Sequence, residues 1–460
     1  MMAADVFMFN STWECNPLVL REAASYGLKI LSRNLPQYMD MFTPYITEID
    51  ENIKSTKDKL LKLIKSNVSY QIPQGEFKSF GEQYFNFYNK VKTLEIKKQK
   101  VSNINTQIIQ HYVNQPYFEI KGSSDKIFNV KFFDEKNYCH YENNLPANHW
   151  VKLNRQYFTK WRTEVWEDNE LIYNNTLDFT GKRVYIALDS KSLGDSIAWM
   201  PYILEFKNKH NCHLIVSTFW NKLFKKSYPE LEFVEPGVTV NNLNGMYKLG
   251  WFYNSDYEPE IPNTIPLQKT ATNILGLEFK EILPKIDFTP KSNPFKEKYV
   301  TIANESTSGL KYWNNPNGWQ ELVNYLVDKG YRVINVSKNG DTLKNVTKLK
   351  DTSIENTMNV IHHSEFFIGL SSGLSWLSWG IGKHVVMISN FTEPDHEFTI
   401  NCTRITNPSV CNGCWNNPKF KFDKGDWYWC PEHKNTPRQF ECHKSITSEM
   451  VINSIQHLIK

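Results

Sequence analysis

The chain has 460 residues and eight cysteines, enough for about three ordinary domains and far too long for a small disulfide-stapled scaffold. Aromatic residues make up 14% and charged residues 22%, a balance that a disordered segment does not carry. The net charge is +4 and the basic residues are dispersed, which excludes a dedicated duplex binder, so nucleic acid is not an expected partner.

No start segment pairs a basic region with an apolar one. The most apolar stretch, Phe366 to Ser389, is broken by Gly373, Gly380, Gly382 and Lys383, so a cytoplasmic protein with no membrane span is expected. Ala3 to Phe9 reads as a strand, Pro17 suits the first position of a helix over Leu18 to Tyr26, and Leu28 to Leu31 as a second strand. This strand-helix-strand unit fills residues 1–35. Residues 36–114, rich in Lys, Glu, Ile and Asn, read as a solvated helical linker, with Ile53, Leu60, Leu61 and Ile64 at helical spacing.

Residues 115–178 change texture to short aromatic runs such as Phe128 to Phe133 and Trp161 to Trp166, the mark of an antiparallel β-rich accessory or assembly domain. Residues 179–290 alternate strands (Arg183 to Leu188, His213 to Ser217) with a helix from about Asp195 to Lys209. Residues 291–405 repeat the alternation. A helix capped at Asn315-Pro316 carries Trp319, Leu322, Val323, Leu326 and Val327 on one face, and strands fall at Tyr299 to Ala303, Tyr331 to Val336, Glu365 to Leu370 and Val385 to Ile388. Each lobe is expected to be a parallel sheet covered on both faces, giving a two-lobed, Rossmann-like α/β enzyme with a cleft between. Residues 406–444 form a cysteine-rich finger and 445–460 a last helix.

Ligands of such sheets bind at the carboxyl ends of the strands. Three turns there can carry chemistry. In Gly194-Asp195-Ser196, Asp195 is either a general base at the cleft rim or a helix cap, with Gly194 allowing close backbone approach and Ser196 beside it. In Ser306-Thr307-Ser308-Gly309-Leu310-Lys311, hydroxyls, a glycine and one lysine suit a phosphate cradle, or else form a polar surface loop. In Ser371-Ser372-Gly373-Leu374-Ser375, free amides at a helix start offer an anion site that needs no metal, the alternative being ordinary strand-to-helix packing. The turn is not a P-loop, which excludes an ATPase reading.

Cys411, Cys414, Cys430 and Cys442 follow the spacing C-x2-C-x15-C-x11-C. Four thiolates at this spacing can complete a shell for zinc or iron, structural because no position stays open for substrate. His433 and His443 lie nearby as alternative ligands. A redox role of the rubredoxin type would need a second paired knuckle, which the later cysteines do not supply. A metal-finger module gripping nucleic acid is the other alternative, but residues 411–460 hold 7 basic and 5 acidic side chains, a poor phosphate-binding balance.

Over residues 115 to 460, GDSIAWMP, STSGLK, IGLSSGLSWL and CNGC resemble the family 9 heptosyltransferases, and among them the O-heptosyltransferases that glycosylate autotransporter proteins. The resemblance implies a GT-B fold, ADP-heptose as nucleotide-sugar donor, a protein hydroxyl as acceptor, inversion at the anomeric carbon, a structural iron on the four cysteines with no catalytic metal, and a ring-like homo-oligomer. It assigns the base to Asp195, the donor diphosphate to Lys311 and the phosphate-facing turn to Ser372, Gly373 and Leu374. Heptosyltransferases acting on lipopolysaccharide usually show D-x-G-x-x-H in that turn. Ser371 and Trp376 stand in the Asp and His places here, which favours the protein-modifying branch over a glycan acceptor. The stretch FNSTWECNPLVLREAASYGLKILS also resembles the donor-binding part of family 4 glycosyltransferases, with Glu14 and Glu22 in the E-x7-E spacing, and reads as a remnant or truncated lobe without its own activity.

Overall fold

The structure, a computed structural model, describes residues 6–9, 20, 23, 28–33, 46–49, 53–66 and 106–459, the last span without 123–124, 257, 259 and 340–342. The chain divides into two compact units, 1–103 and 104–460.

In the first unit, strands β1 (Val6–Phe9), β2 (Lys29–Ser32) and β3 (Ile46–Glu48) form a parallel sheet in the order β1-β2-β3. Leu20, Ala23, Leu28 and Ile30 make its small core, with Phe7, Phe9 and Ile46 around them. Helix α1 (Ile53–Lys65) follows. It buries Leu63, while Leu61 and Ile64 are exposed, so the apolar face expected from spacing is rotated toward Leu63. The sheet therefore runs on past residue 35, into the stretch expected to be a linker. A three-residue strand among lysines and asparagines leaves no period to read.

The second unit begins with β4 (Gln107–Val113), β5 (Tyr117–Lys121), β6 (Ile127–Phe133), β7 (Cys139–Pro146), β8 (His149–Lys152), β9 (Arg162–Glu167) and β10 (Glu170–Thr176). Strands β10-β9-β6-β7 form an antiparallel sheet, as the aromatic runs imply. Strand β4 does something the sequence reading did not anticipate, since it pairs in parallel with β14 (Gly245–Leu249) of the first lobe. With β5 and β8 it extends the lobe sheet to the order β13-β12-β11-β14-β4-β5-β8, where β11 is Arg183–Leu188, β12 His213–Ser217 and β13 Glu232–Val234. The accessory strands and the lobe thus share one sheet, and the β-rich region starts at 107, inside the expected linker. Helix α2 (Leu193–His210) follows β11, and α3 (Leu267–Leu275) packs beside it.

The second lobe is a fully parallel sheet in the order β17-β16-β15-β18-β19-β20. Its strands are β15 (Tyr299–Ile302), β16 (Arg332–Asn335), β17 (Val346–Lys348), β18 (Phe367–Leu370), β19 (Val385–Ile388) and β20 (Cys402–Ile405). Neighbouring residues of a strand face opposite sides. Val300, Ile302, Ile368, Leu370, Val386 and Ile388 enter one core with α4 (Gly318–Asp328), whereas Tyr299, Phe367, Val385 and Met387 enter the other with α5 (Ile354–His363) and α6 (Gly373–Gly380). Burial on both faces explains the near-continuous apolar strands of this region. A short helix α7 (Glu441–Lys444) leads to α8 (Ser448–Ile455), whose Val451 and Ile455 close the α4 side. No helix among the described residues is long and apolar enough to cross a membrane.

Candidate active site

The cap of α2 is Ser192, whose hydroxyl accepts from the Asp195 amide at 3.5 Å. Asp195 is therefore the third residue of the helix, and its carboxylate is free for another task. Oδ2 accepts from Ser190 Oγ at 2.7 Å and from Trp251 Nε1 at 3.0 Å. Trp251 follows β14, and its ring lies 6.0 Å from Trp199 and 5.3 Å from Trp415. Helix α2 is itself pinned, with Trp199 Nε1 donating to the Leu267 carbonyl at 2.9 Å and Tyr202 to the Lys280 carbonyl at 2.7 Å.

From the other lobe, α6 starts against the start of α2. A Cβ on Gly194 would stand 3.0 Å from Trp376 Cδ1, and one on Gly373 would stand 3.2 Å from Leu193 Cβ. The two glycines let the helix starts touch, which brings the positive ends of two helix dipoles together. Ser372 makes no capping bond with its side chain, so the first amides of α6, those of Gly373 and Leu374, keep the unpaired donors every helix start has.

Lys311 closes a short 3-10 turn, Gly309–Lys311, after β15. Its Nζ lies 5.0 Å from the centroid of the Phe391 ring. Burial pushes the Lys311 ammonium down from its ordinary range, against the opposing pull of the carboxylates of Glu397 and Asp195. Asp195 of the first lobe is thus near enough to Lys311 of the second for its carboxylate to oppose that fall. The hydroxyl oxygens of Ser306, Ser308 and Ser372 are buried with no hydrogen-bond partner among the described residues. Unpaired buried hydroxyls are costly unless a ligand satisfies them, and these three lie on the two turns expected to hold phosphate.

Other residues of those turns are engaged elsewhere. The Gly309 amide donates to the Trp427 carbonyl at 3.0 Å, and a Cβ there would stand 2.7 Å from that oxygen, so its glycine admits the cysteine segment. Ser375 donates to the Leu370 carbonyl at 2.5 Å, and Ser196 accepts from Thr218 at 3.4 Å inside the core. Thr307 is exposed. These side chains shape the turns; they do not line the interlobe space with free groups. Glu14 and Glu22 lie outside the described residues.

Sequence reasoning missed a buried carboxylate. Glu397 accepts from Ser371, from Thr392 Oγ1 at 3.0 Å and from Arg404 Nη1 at 2.5 Å. Burial alone would push its carboxyl up, yet Arg404 and the other donors hold it at about 2. The available signal was its place in the loop after β19, at the carboxyl end of a parallel strand. Trp376, in the family's His position, is buried against Trp379 and Phe398.

The four cysteines gather with Leu310, Phe391, Trp429 and Phe440 in one small core, and no disulfide joins them. Among the described residues, Cys411, His433 and Glu441 bring one donor atom each within 4.8 Å of one another, a group that sets an imidazole and a carboxylate beside one of the four expected sulfurs. The buried His433 Nε2 has no hydrogen-bond partner among the described residues and lies 3.5 Å from a Glu441 carboxylate oxygen, and thiol with imidazole suits zinc or iron. Gly413 has φ +63° and its amide donates to the Asn390 carbonyl at 2.8 Å, which shapes the knuckle. His443 is engaged, its Nε2 accepting from the Asn390 amide at 3.0 Å.

Two α/β lobes, the second sheet fully parallel and the first extended by antiparallel strands, thus meet at two helix starts that bring together an oriented carboxylate and free backbone amides. Residues 265–426 match the model of glycosyltransferase family 9 (heptosyltransferase). The chain is 34% identical over 326 residues to the autotransporter heptosyltransferase Aah of Escherichia coli, covering 67% of this chain and 83% of that one. It is 31% identical over 323 residues to BimC of Burkholderia thailandensis, an inactive autotransporter heptosyltransferase, covering 67% and 76%. The crystal structure of TibC from enterotoxigenic E. coli, described as an iron-containing dodecameric glycosyltransferase, superposes with a TM-score of 0.70 at 28% identity, covering 78% of this chain and 99% of that chain. A second TibC structure, with ADP-D-β-D-heptose, gives 0.69. The chain belongs to the glycosyltransferase family 9 heptosyltransferases, in the group of the autotransporter heptosyltransferases.

Proposed function

We propose that the protein moves a heptose from ADP-heptose to a hydroxyl of an autotransporter protein, with inversion, and that Asp195 is the base. The observation that supports this reading is the Asp195 carboxylate, oriented by Ser190 and Trp251 at the start of α2, where that start meets the free amides at the start of α6 from the other lobe. Among the described residues, both donors to the Asp195 carboxylate act on Oδ2, which leaves Oδ1 to take the proton of the acceptor hydroxyl as it attacks. Lys311, the α6 amides and the hydroxyls of Ser306, Ser308 and Ser372 hold the departing diphosphate, whose charge grows in the transition state.

TibC being iron-containing and dodecameric, a structural metal and a homo-oligomer belong to the same reading. Cys411, Cys414, Cys430 and Cys442 are the ligands of choice, with His433 and Glu441 at the same spot; the metal would hold the segment that backs the Lys311 turn. The described cysteines are unpaired, in keeping with a reducing cytoplasm. The test is mass spectrometry of an autotransporter passenger incubated with the protein and ADP-heptose. The proposal expects a gain of one heptose residue on a hydroxyl side chain, and no gain under conditions where TibC modifies its acceptor would refute it.

A further inference from the structure

Trp251 has two faces of interest. Its indole edge holds Asp195, and its exposed part lines a cavity of about 410 Å³ between the loop after β14 and the segment after Cys414. Tyr253, Trp415 and Phe422 supply further aromatic surface, and Lys419 and Lys421 line the opening. Among the described residues no carboxylate lines the cavity. The two walls are tied to each other, Asn263 Nδ2 donating to the Trp415 carbonyl at 2.7 Å and Asn416 Nδ2 to the Asn263 carbonyl at 2.8 Å.

We infer that this groove is the acceptor-docking subsite, and that its occupant is an extended polypeptide segment carrying acidic side chains beside the hydroxyl to be modified. The inference rests on the proposed transfer to a protein hydroxyl and specifies the chemistry of that acceptor. Three features point to a peptide. Trp251 lines the groove and donates to the Asp195 carboxylate, so a chain lying in the groove runs beside the proposed base. Aromatic walls accept aliphatic stems and backbone faces, and two lysines with no opposing carboxylate select for acidic neighbours. A sugar ring would need a ring of polar partners for its hydroxyls, and the lining offers one amide, Asn263, whose nitrogen is already bonded to Trp415.

The test uses the full chain and three synthetic peptides of equal length with a central serine, flanked by glutamates, by glutamines or by lysines. Binding is read by tryptophan fluorescence and calorimetry without donor, so it does not depend on sugar transfer. The acidic peptide is expected to bind at least five-fold more tightly than the neutral one at low salt, and the lysine peptide more weakly than both. The double variant Lys419→Glu/Lys421→Glu, at two exposed positions outside the donor machinery, is expected to invert that order while ADP affinity stays within two-fold. Equal binding of all three peptides, or an order unchanged in the double variant, would overturn the proposal. Failure of heptose transfer with the peptide order intact would instead strike at the proposed reaction alone.

Discussion

Trp251 and Ser190 donate to the same carboxylate oxygen of Asp195, at 3.0 and 2.7 Å, so the carboxylate is aimed by residues from two different strand ends. In the proposed reaction this carboxylate is the general base, a role worth about 10²- to 10⁴-fold in rate. Asp195→Asn keeps both shape and size, and we expect its turnover to fall by that factor while ADP affinity changes less than three-fold. Steady-state transfer rates with calorimetry check both; normal turnover in the variant would remove Asp195 from the reaction.

Lys311 should act on binding. A bond to a charged group is worth about 1.5–3 kcal/mol, so Lys311→Gln should weaken ADP by roughly ten- to a hundred-fold. Calorimetric titration with ADP reads this directly, and an unchanged dissociation constant would place the diphosphate elsewhere.

Glu397 gives a pH dependence whose sign is fixed. Its carboxyl is held at about 2 against an ordinary 4.5, so the ionised group stabilises the fold fully above the ordinary value. That contribution fades as pH falls from about 4.5 toward 2. The shift corresponds to about 3 kcal/mol. Glu397→Gln, which leaves Arg404 facing a neutral amide, should lower Tm strongly at pH 7, and the gap to the parent protein should narrow as the medium is acidified below pH 4.5. A gap that stays constant down to pH 3 would contradict the assignment.

Gly413 tests the knuckle. At φ +63° a side chain costs about 1–2 kcal/mol, and a Cβ would also meet the Glu393 carboxylate, an exposed group that can rotate away. Gly413→Ala should therefore destabilise by the backbone term, seen as a modest loss of Tm.

Metal loss should reach the donor turn. The cysteine segment touches it through the Gly309 bond to Trp427 and through Tyr312, whose ring lies 5.4 Å from Trp427, and Phe391 lies under Lys311. Cys430→Ser should lower the metal content, the Tm and the ADP affinity together. Elemental analysis beside ADP calorimetry checks it, and full ADP affinity in a metal-free variant would separate the two sites.

The second lobe was legible in the sequence because its strands are buried on both faces and its α4 helix buries Trp319, Leu322, Val323 and Leu326 on one face, although Val327, expected beside them, is exposed at the helix end. The helix cap was misread by two residues, at Asn317 in place of Asn315, since both asparagines suit a turn. Asp195 and Lys311 stood out because each sits in a short turn of telling composition, Gly194-Asp195-Ser196 and Ser306-Thr307-Ser308-Gly309-Leu310-Lys311. Glu397 could not, because its partners Ser371, Thr392 and Arg404 come from three different loops and strands and only the sheet assembles them. The union of β4 with the lobe sheet was hidden for the same reason: parallel pairing of strands separated by more than a hundred residues leaves no local pattern.

The most direct measurement is the crystal structure of the Asp195→Asn variant with ADP-heptose. The diphosphate is predicted to lie within hydrogen-bond reach of Lys311 Nζ and the first amides of α6, with the anomeric carbon facing residue 195. A nucleotide bound with its phosphates away from Lys311, or a sugar turned from residue 195, would contradict the account.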